Sequence, residues 1–417
     1  MQSNIPKDTW KDLFDPFAEE LISTPYPHYE RLLAEKPIHW SPPLRSWIFA
    51  RMEDVQTVLN DESFLAVDIA KNVSHLARRA GRDYTPLIRL LNSALLFIDG
   101  PRHRQDRRTI AKVINRINLT ELKPVIQNFA ASLASKISGA YEFDAISEFG
   151  NPLPQYVMAH IMGIPLSDVP VLSELLSQIT LVFDLASLDV CDSVNAKTGE
   201  ALELLKSRIA EGVRGNEETG LSIIYAGTSG PEAQRLMDAA ASASFIFKVG
   251  SETTMGMMGL LFLTLIRQPR LRQIARDRRS LVPNIVSEVL RLESTVQRSI
   301  RIASETKVIG GTTIKAGDRL MLLLGAANRD PAAFDDPNNL STDRKTVSDV
   351  VFGGGHHFCL GASLGRLEGC LALEQILDLP EFEQAGEERW FLGRSIRRLT
   401  RLPVRIKGAP VGRTDYG

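Results

Sequence analysis

Between Ala239 and Gln268 the chain reads AAASASFIFKVGSETTMGMMGLLFLTLIRQ, with no proline and with apolar residues at helical spacing. The pattern predicts one long helix, stopped by Pro269. Its most apolar portion, MMGLLFLTLI (Met257 to Ile266), is too short to cross a bilayer and reads as buried helix. A fold able to bury such a helix needs a sizeable core, and 417 residues can supply one.

The flanking sequence is mostly helical too. PYPHYERLLAEK is an amphipathic helix, IHWSPPLRSWIFA alternates like a hairpin, and MEDVQTVLND returns to helical spacing. From Leu119 to Met237 the spacing is helical, broken at NPLP, GIP and AGTSGP. Short strands return in SIRIA and TKVIGGTTIKAGDRLMLLL, followed by the turn-rich NRDPAAFDDPNN, a glycine-rich stretch and a last helix. The fold class is mainly α with a minor β portion, at about residues 36–50 and 298–325. No linker divides the chain, so residues 1–417 read as one domain.

With 49 basic and 50 acidic residues, whole-chain charge points to neither nucleic acid nor a membrane surface as partner. Three cysteines, Cys191, Cys359 and Cys370, are too sparse for a disulfide framework and fit a reducing compartment. The N-terminus, MQSNIPKDTWKDLFDPF, has no apolar core of a signal peptide, and no membrane span is expected. A cytoplasmic protein is the expectation.

One cysteine stands in a singular place, VFGGGHHFCLGAS (Val351 to Ser363). Glycines permit tight turns around a metal-bound sulfur, and the following LGASLGRLEGCLALEQIL puts Cys359 near a helix N-terminus, which favours thiolate. An inert buried thiol and a structural zinc ligand are the alternatives. Zinc wants four ligands, and Cys370 lies three turns along the same helix. A single thiolate suits haem iron.

Phe352, Gly355, His357, Cys359 and Gly361 stand in the order F-x-x-G-x-H-x-C-x-G. This resembles the haem-binding signature of the cytochrome P-450 superfamily, and the resemblance extends over residues 11–408. It implies the P-450 fold, with haem b between the long distal helix and the proximal cysteine-loop helix. Cys359 would be the axial iron ligand and Phe352 would shield its sulfur. His103 and Arg107 in DGPRHRQDRR, Arg301 in SIRIASE, and His357 match the family's contacts to the haem propionates. Glu288 and Arg291 in SEVLRLES match E-x-x-R, and Arg344 best fits the arginine that joins them structurally, although Leu340 replaces a common aromatic.

The long helix holds VGSETT, where Gly250, Glu252 and Thr253 match the family's A-G-x-[DE]-T and Val249 replaces a small residue. A mid-helix glycine costs ~1 kcal/mol, tolerable where a ligand approaches the backbone. A threonine hydroxyl can bond the carbonyl one turn back. By resemblance, Thr253 organises water near dioxygen and Glu252 links to the proton supply. Phe245, Lys248 and Val249 would line the substrate cavity, together with the region from Ala66 to Leu96 and the helix around Leu181. Lys248 stands one turn before Glu252, so an ion pair between them and contact with a substrate carboxylate are both open.

These readings imply a monooxygenase inserting one oxygen atom of dioxygen into a small or medium apolar substrate, possible carboxylate-bearing forms such as a terpenoid acid included. Ring contraction, desaturation or coupling on the same fold is the alternative, and a non-catalytic haem sensor or carrier is disfavoured by Glu252–Thr253. No reductase sequence follows the cysteine loop, so a separate ferredoxin and its reductase are the expected electron donors. Arg104, Arg108, Lys112 and Arg366 are candidates to steer an acidic ferredoxin.

Overall fold

The computed structural model describes residues 14–184, 186–216, 218–344 and 349–408. The start of the N-terminal stretch read for a signal peptide lies outside them. Contacts divide the chain into two interleaved compact units: residues 1–67, 283–359 and 390–398 form the first, and residues 68–282, 360–389 and 399–417 the second.

The first unit is built on a five-stranded sheet. Its order is Ile38–Ser41, Ser46–Phe49, Arg319–Leu323, Arg298–Ala303, Phe64–Ala66. The predicted hairpin pairs Ile38 with Phe49 and Trp40 with Trp47, whose rings meet edge to face at 5.6 Å. Ser46–Phe49 then runs parallel to Arg319–Leu323, and the other pairings are antiparallel. Phe64–Ala66, too short to show a period, was not legible as a strand. Phe49, Val55, Leu59, Phe64, Leu320 and Leu322 close the core between the sheet and the helix Met52–Asn60. Each fully buried aliphatic or aromatic side chain contributes ~1.5–3 kcal/mol.

The second unit holds the long helix, which runs without interruption from Glu232 to Arg267. It begins after Pro231, seven residues before the apolar run that reveals it in sequence, and Pro269 opens the next helix, Pro269–Asp277. Helices Pro152–Met162 and Leu188–Arg214 pack against it. Phe262 is ringed by Phe143, Phe149 and Phe382 at 6.3, 5.6 and 5.9 Å between ring centres. Among the described residues this is the one helix long and apolar enough to cross a membrane, and 72% of its apolar window is buried. A three-stranded sheet of Glu142–Asp144, Pro403–Ile406 and Phe382–Gln384 also lies here, beyond the predicted β regions.

Candidate active site

In the first unit, the cysteine loop is shaped by Gly353 and Gly355, at φ 73° and 59°. A Cβ at Gly355 would collide with the Leu59 carbonyl oxygen, so glycine alone lets the loop lie against the end of the helix Met52–Asn60. One 3-10 turn, Gly355–His357, follows, with the two histidine rings 4.3 Å apart. The Cys359 N–H then donates to the Phe352 carbonyl at 3.0 Å, closing the loop with the cysteine side chain exposed. The other two thiols are withdrawn. Burial pushes both Cys191 and Cys370 up, the latter to about 11, against thiolate formation.

Glu288, Arg291 and Arg344 meet in the same unit. Arg291 donates to both Glu288 oxygens, at 2.7 and 3.0 Å, and Arg344 Nε lies 3.1 Å from each. The Ser341 N–H adds a bond at 3.0 Å. Burial by itself raises Glu288, but these donors outweigh it and hold the carboxyl below its ordinary 4.5. Arg291 also donates to the Asn328 and Pro337 carbonyls, so one helix and the turn-rich segment are clamped together. Arg301 is buried in its strand, with Nη1 bonded to Ser299 Oγ and the Ile300 carbonyl.

In the second unit, His103 is buried and Arg107 half-buried, one turn apart on the helix Gly100–Ile114. Arg104, Arg108 and Lys112 are exposed on that helix at successive i,i+4 steps, and Arg366 is half-buried on its own helix.

The long helix is buried on nearly every side from Ala243 to Leu265, yet Val249, Gly250 and Thr253 remain partly open. These three share one facet, at i, i+1 and i+4. Thr253 Oγ1 donates to the Val249 carbonyl at 3.2 Å. A Cβ at Gly250 would meet Met158 Sδ and Cε at 2.8 Å, the far end of a flexible side chain on the neighbouring helix Pro152–Met162. Glu252, 1% exposed, points elsewhere and accepts from Lys248 Nζ at 3.0 Å and Thr180 Oγ1 at 3.2 Å. Lys248 also donates to the Ser177 carbonyl at 3.2 Å. The ion pair, one of the two arrangements open from sequence, is the one formed.

Phe245 packs toward Phe183, and Phe183 meets Phe97 edge to face, with ring centres 6.5 and 4.8 Å apart. Of this aromatic wall, the sequence singled out Phe245 by name and reached Phe183 only through the helix around Leu181. Phe97 and Phe183 sit in a three-residue turn and a four-residue helix, too short to carry a period. Thr180 and Ser177 were missed for the same reason. A separate cleft of about 690 Å³, lined by Arg89, Arg102, Asp106 and Asp238 among others, shares no lining residue with this group.

In the first unit an exposed thiol on a glycine-shaped loop offers a single thiolate suited to haem iron; in the second, the long helix leaves a facet open at Val249, Gly250 and Thr253. The donor set fits that cofactor: one accessible sulfur for iron, and His103, Arg107 and Arg301 as donors suited to buried carboxylates. Comparison with known proteins agrees. The Cytochrome P450 family model matches residues 262–391. The vitamin D(3) 25-hydroxylase of Pseudonocardia autotrophica is 30% identical over 408 residues, covering 95% of this chain and 97% of the relative. The biotin biosynthesis cytochrome P450 of Bacillus subtilis is 29% identical over 394 residues, covering 93% and 97%. The structure of P450BioI in complex with hexadec-9Z-enoic acid ligated acyl carrier protein superposes with a TM-score of 0.84 at 29% identity, covering 94% and 100%. The chain belongs to the cytochrome P450 family. It is a bacterial-type oxidoreductase with haem iron as cofactor.

Proposed function

We propose that this P450 monooxygenase inserts one oxygen atom of dioxygen into a neutral, apolar substrate, in the cytoplasm and as a single functional domain. The observation that carries the reading is Cys359, the one exposed thiol of the three, on a loop whose glycine cannot be replaced. Haem supplies the activation of dioxygen when bound.

In this reading Cys359 holds the iron, with Phe352, Gly355 and Gly361 shaping its loop. His103, Arg107, Arg301 and His357 hold the propionates. Thr253 Oγ1 keeps a hydroxyl on the open facet, where it can order water, and Glu252 is the acid from which a proton reaches that facet. Phe97, Phe183, Phe245 and Val249 present an apolar surface that excludes bulk water. A substrate carboxylate at Lys248 would have to stand beside the Glu252 carboxylate already bound there, which supports a neutral substrate over an acid. The vitamin D(3) and fatty-acyl ligands named for two relatives are similarly apolar over most of their surface.

Electrons come, in this proposal, from a ferredoxin and its reductase. The exposed stripe Arg104–Arg108–Lys112 would steer an acidic donor, with association that weakens as salt rises. The test of the whole reading is spectroscopic. The reduced carbonyl complex of the wild type is expected to show the strongly red-shifted Soret band of thiolate ligation, and Cys359→His to lose it while retaining haem. A red-shifted band surviving in Cys359→His would place the ligand elsewhere.

A further inference from the structure

The cleft of about 690 Å³ lies wholly within the second unit, walled by the helices Thr85–Asn92, Gly100–Ile114 and Gly220–Gly227 and the start of the long helix. Its size is that of a small-molecule site. The helix Gly100–Ile114 gives it Arg102, Gln105, Asp106 and Thr109, at i, i+3, i+4 and i+7 and so on one facet. His103 and Arg107 project roughly a third of a turn away, and Arg104, Arg108 and Lys112 take the remaining side. The cleft therefore uses a face of this helix that belongs neither to the propionate contacts nor to the cationic stripe. One wall is drawn in closely. A Cβ at Gly227 would meet Thr109 Cγ2 and Oγ1 at 2.6 Å, and a β-branched side chain on a helix has little room to yield.

The charges in the cleft are matched internally. Arg89 donates to Asp238 of the long helix. Arg102 donates to the Asn92 carbonyl at 2.7 Å and stands 3.5 Å from Asp106. An anionic ligand would have to displace a carboxylate and a cationic one a guanidinium, which works against both. Neutral groups are in a different position. The side chains of Asn92, Gln105, Ser229 and Ser242 make no hydrogen bond among the described residues. A helical serine can bond the carbonyl one turn back, as Ser251 does with Phe247 at 2.7 Å, and Ser242 leaves that bond unmade. Burial raises the Asp106 carboxyl above its ordinary 3.8, and Arg102 reverses this only in part, so a further donor would stabilise it. Ile88, Ile110 and Ile224 supply an aliphatic side.

Amides and hydroxyls that both donate and accept, a carboxylate short of donors, and an aliphatic wall together match a sugar ring, which carries hydroxyls round its edge and C–H groups on its faces. We propose that this cleft is a binding site for a neutral saccharide, with Asp106 and Ser242 contacting ring hydroxyls and the isoleucines its C–H face. Asp238 and Ser242 stand at i and i+4 on the long helix, in line with Val249 and Thr253 at i+11 and i+15. The sugar then sits two turns, about 10 Å, from Val249 along the same facet. It can arrive as a free saccharide or as the glycosyl part of a glycosylated apolar substrate.

The test is ligand-observed NMR on the wild-type holoenzyme, with the methyl glycosides of glucose, galactose, mannose and rhamnose as probes. At least one is expected to bind with about millimolar affinity. Asp106→Ala should weaken that binding about tenfold and Ser242→Val several-fold, through loss of one charged and one neutral hydrogen bond. Arg104→Ala, on another face of the same helix, should leave it unchanged, and every variant should keep the wild-type carbonyl spectrum. Octyl glycosides of the same sugars, kept below their micelle concentration, separate the two sources. A low-to-high-spin shift with the octyl but not the methyl glycoside, weakened in Asp106→Ala, assigns the sugar to the substrate; binding of both with no shift assigns it to a free saccharide. No binding by any probe, or equal affinities in wild type and Asp106→Ala, overturns the site. Sulfate or putrescine binding in preference to the glycosides overturns the neutral ligand. A wild type lacking the thiolate-type carbonyl band bears on the haem reading alone and leaves the binding result standing.

Discussion

Removing the Glu288 carboxylate should be among the most damaging single changes outside the cysteine loop. It accepts from two arginines whose side chains are 3% and 11% exposed, and from the Ser341 N–H. Glu288→Ala leaves both guanidiniums in place with no counter-charge. Breaking a buried pair in this way costs about 3–5 kcal/mol. The Asn328, Pro337 and Asp335 carbonyls continue to accept from the arginines, so the lower end, about 3 kcal/mol, is the expected value. Glu288→Gln keeps an acceptor but loses the charge and should cost about 2 kcal/mol. Urea unfolding followed by tryptophan fluorescence suits the measurement, because Trp40, Trp47 and Trp390 all lie in the first unit with Glu288. The sign with pH is also fixed. The folded-state carboxyl titrates below its ordinary 4.5, so its contribution is complete above that pH and is lost as pH falls through the folded value. A loss under about 1 kcal/mol for Glu288→Ala, the range of exposed pairs, would refute the claim that the cluster is a desolvated clamp.

His39 lies 3% exposed in its strand, and burial, partly offset by a main-chain contact at Lys36, pushes it down to about 4. Between pH 6.5 and 4 only the unfolded chain takes up the proton, so this residue should lower stability by about 3 kcal/mol across that window. His39→Phe should flatten the pH profile of the urea midpoint there, and an unchanged slope would count against it. Gly355→Ala should destabilise the first unit by at least about 1 kcal/mol through its positive φ alone, with the Leu59 clash adding to that. Gly353→Ala, with φ also positive but open space around the position, is the control. Equal midpoints for the two variants would remove the close approach as the reason for Gly355.

Local chemistry was enough to read much of this protein from its residues. The long helix announces itself because thirty residues without proline repeat one period, and the hairpin at 38–49 because two β-rich runs flank a proline-containing turn. The cysteine loop is legible because tight turns need glycine and one thiolate needs a metal that accepts it. What depends on neighbours distant in sequence stayed hidden. Phe64–Ala66 and Glu142–Asp144 are three residues each, and become strands only by pairing with residues more than two hundred positions away. Gly250 stands out in the sequence, but the Met158 side chain beside it comes from a helix some ninety positions earlier and is set by the fold. Lys248 shows the division best. Its spacing to Glu252 allowed an ion pair from sequence, but periodicity says nothing about Ser177 and Thr180, some seventy positions earlier. A buried charge takes whichever partner the packing brings within 3 Å, and packing is decided by the whole chain.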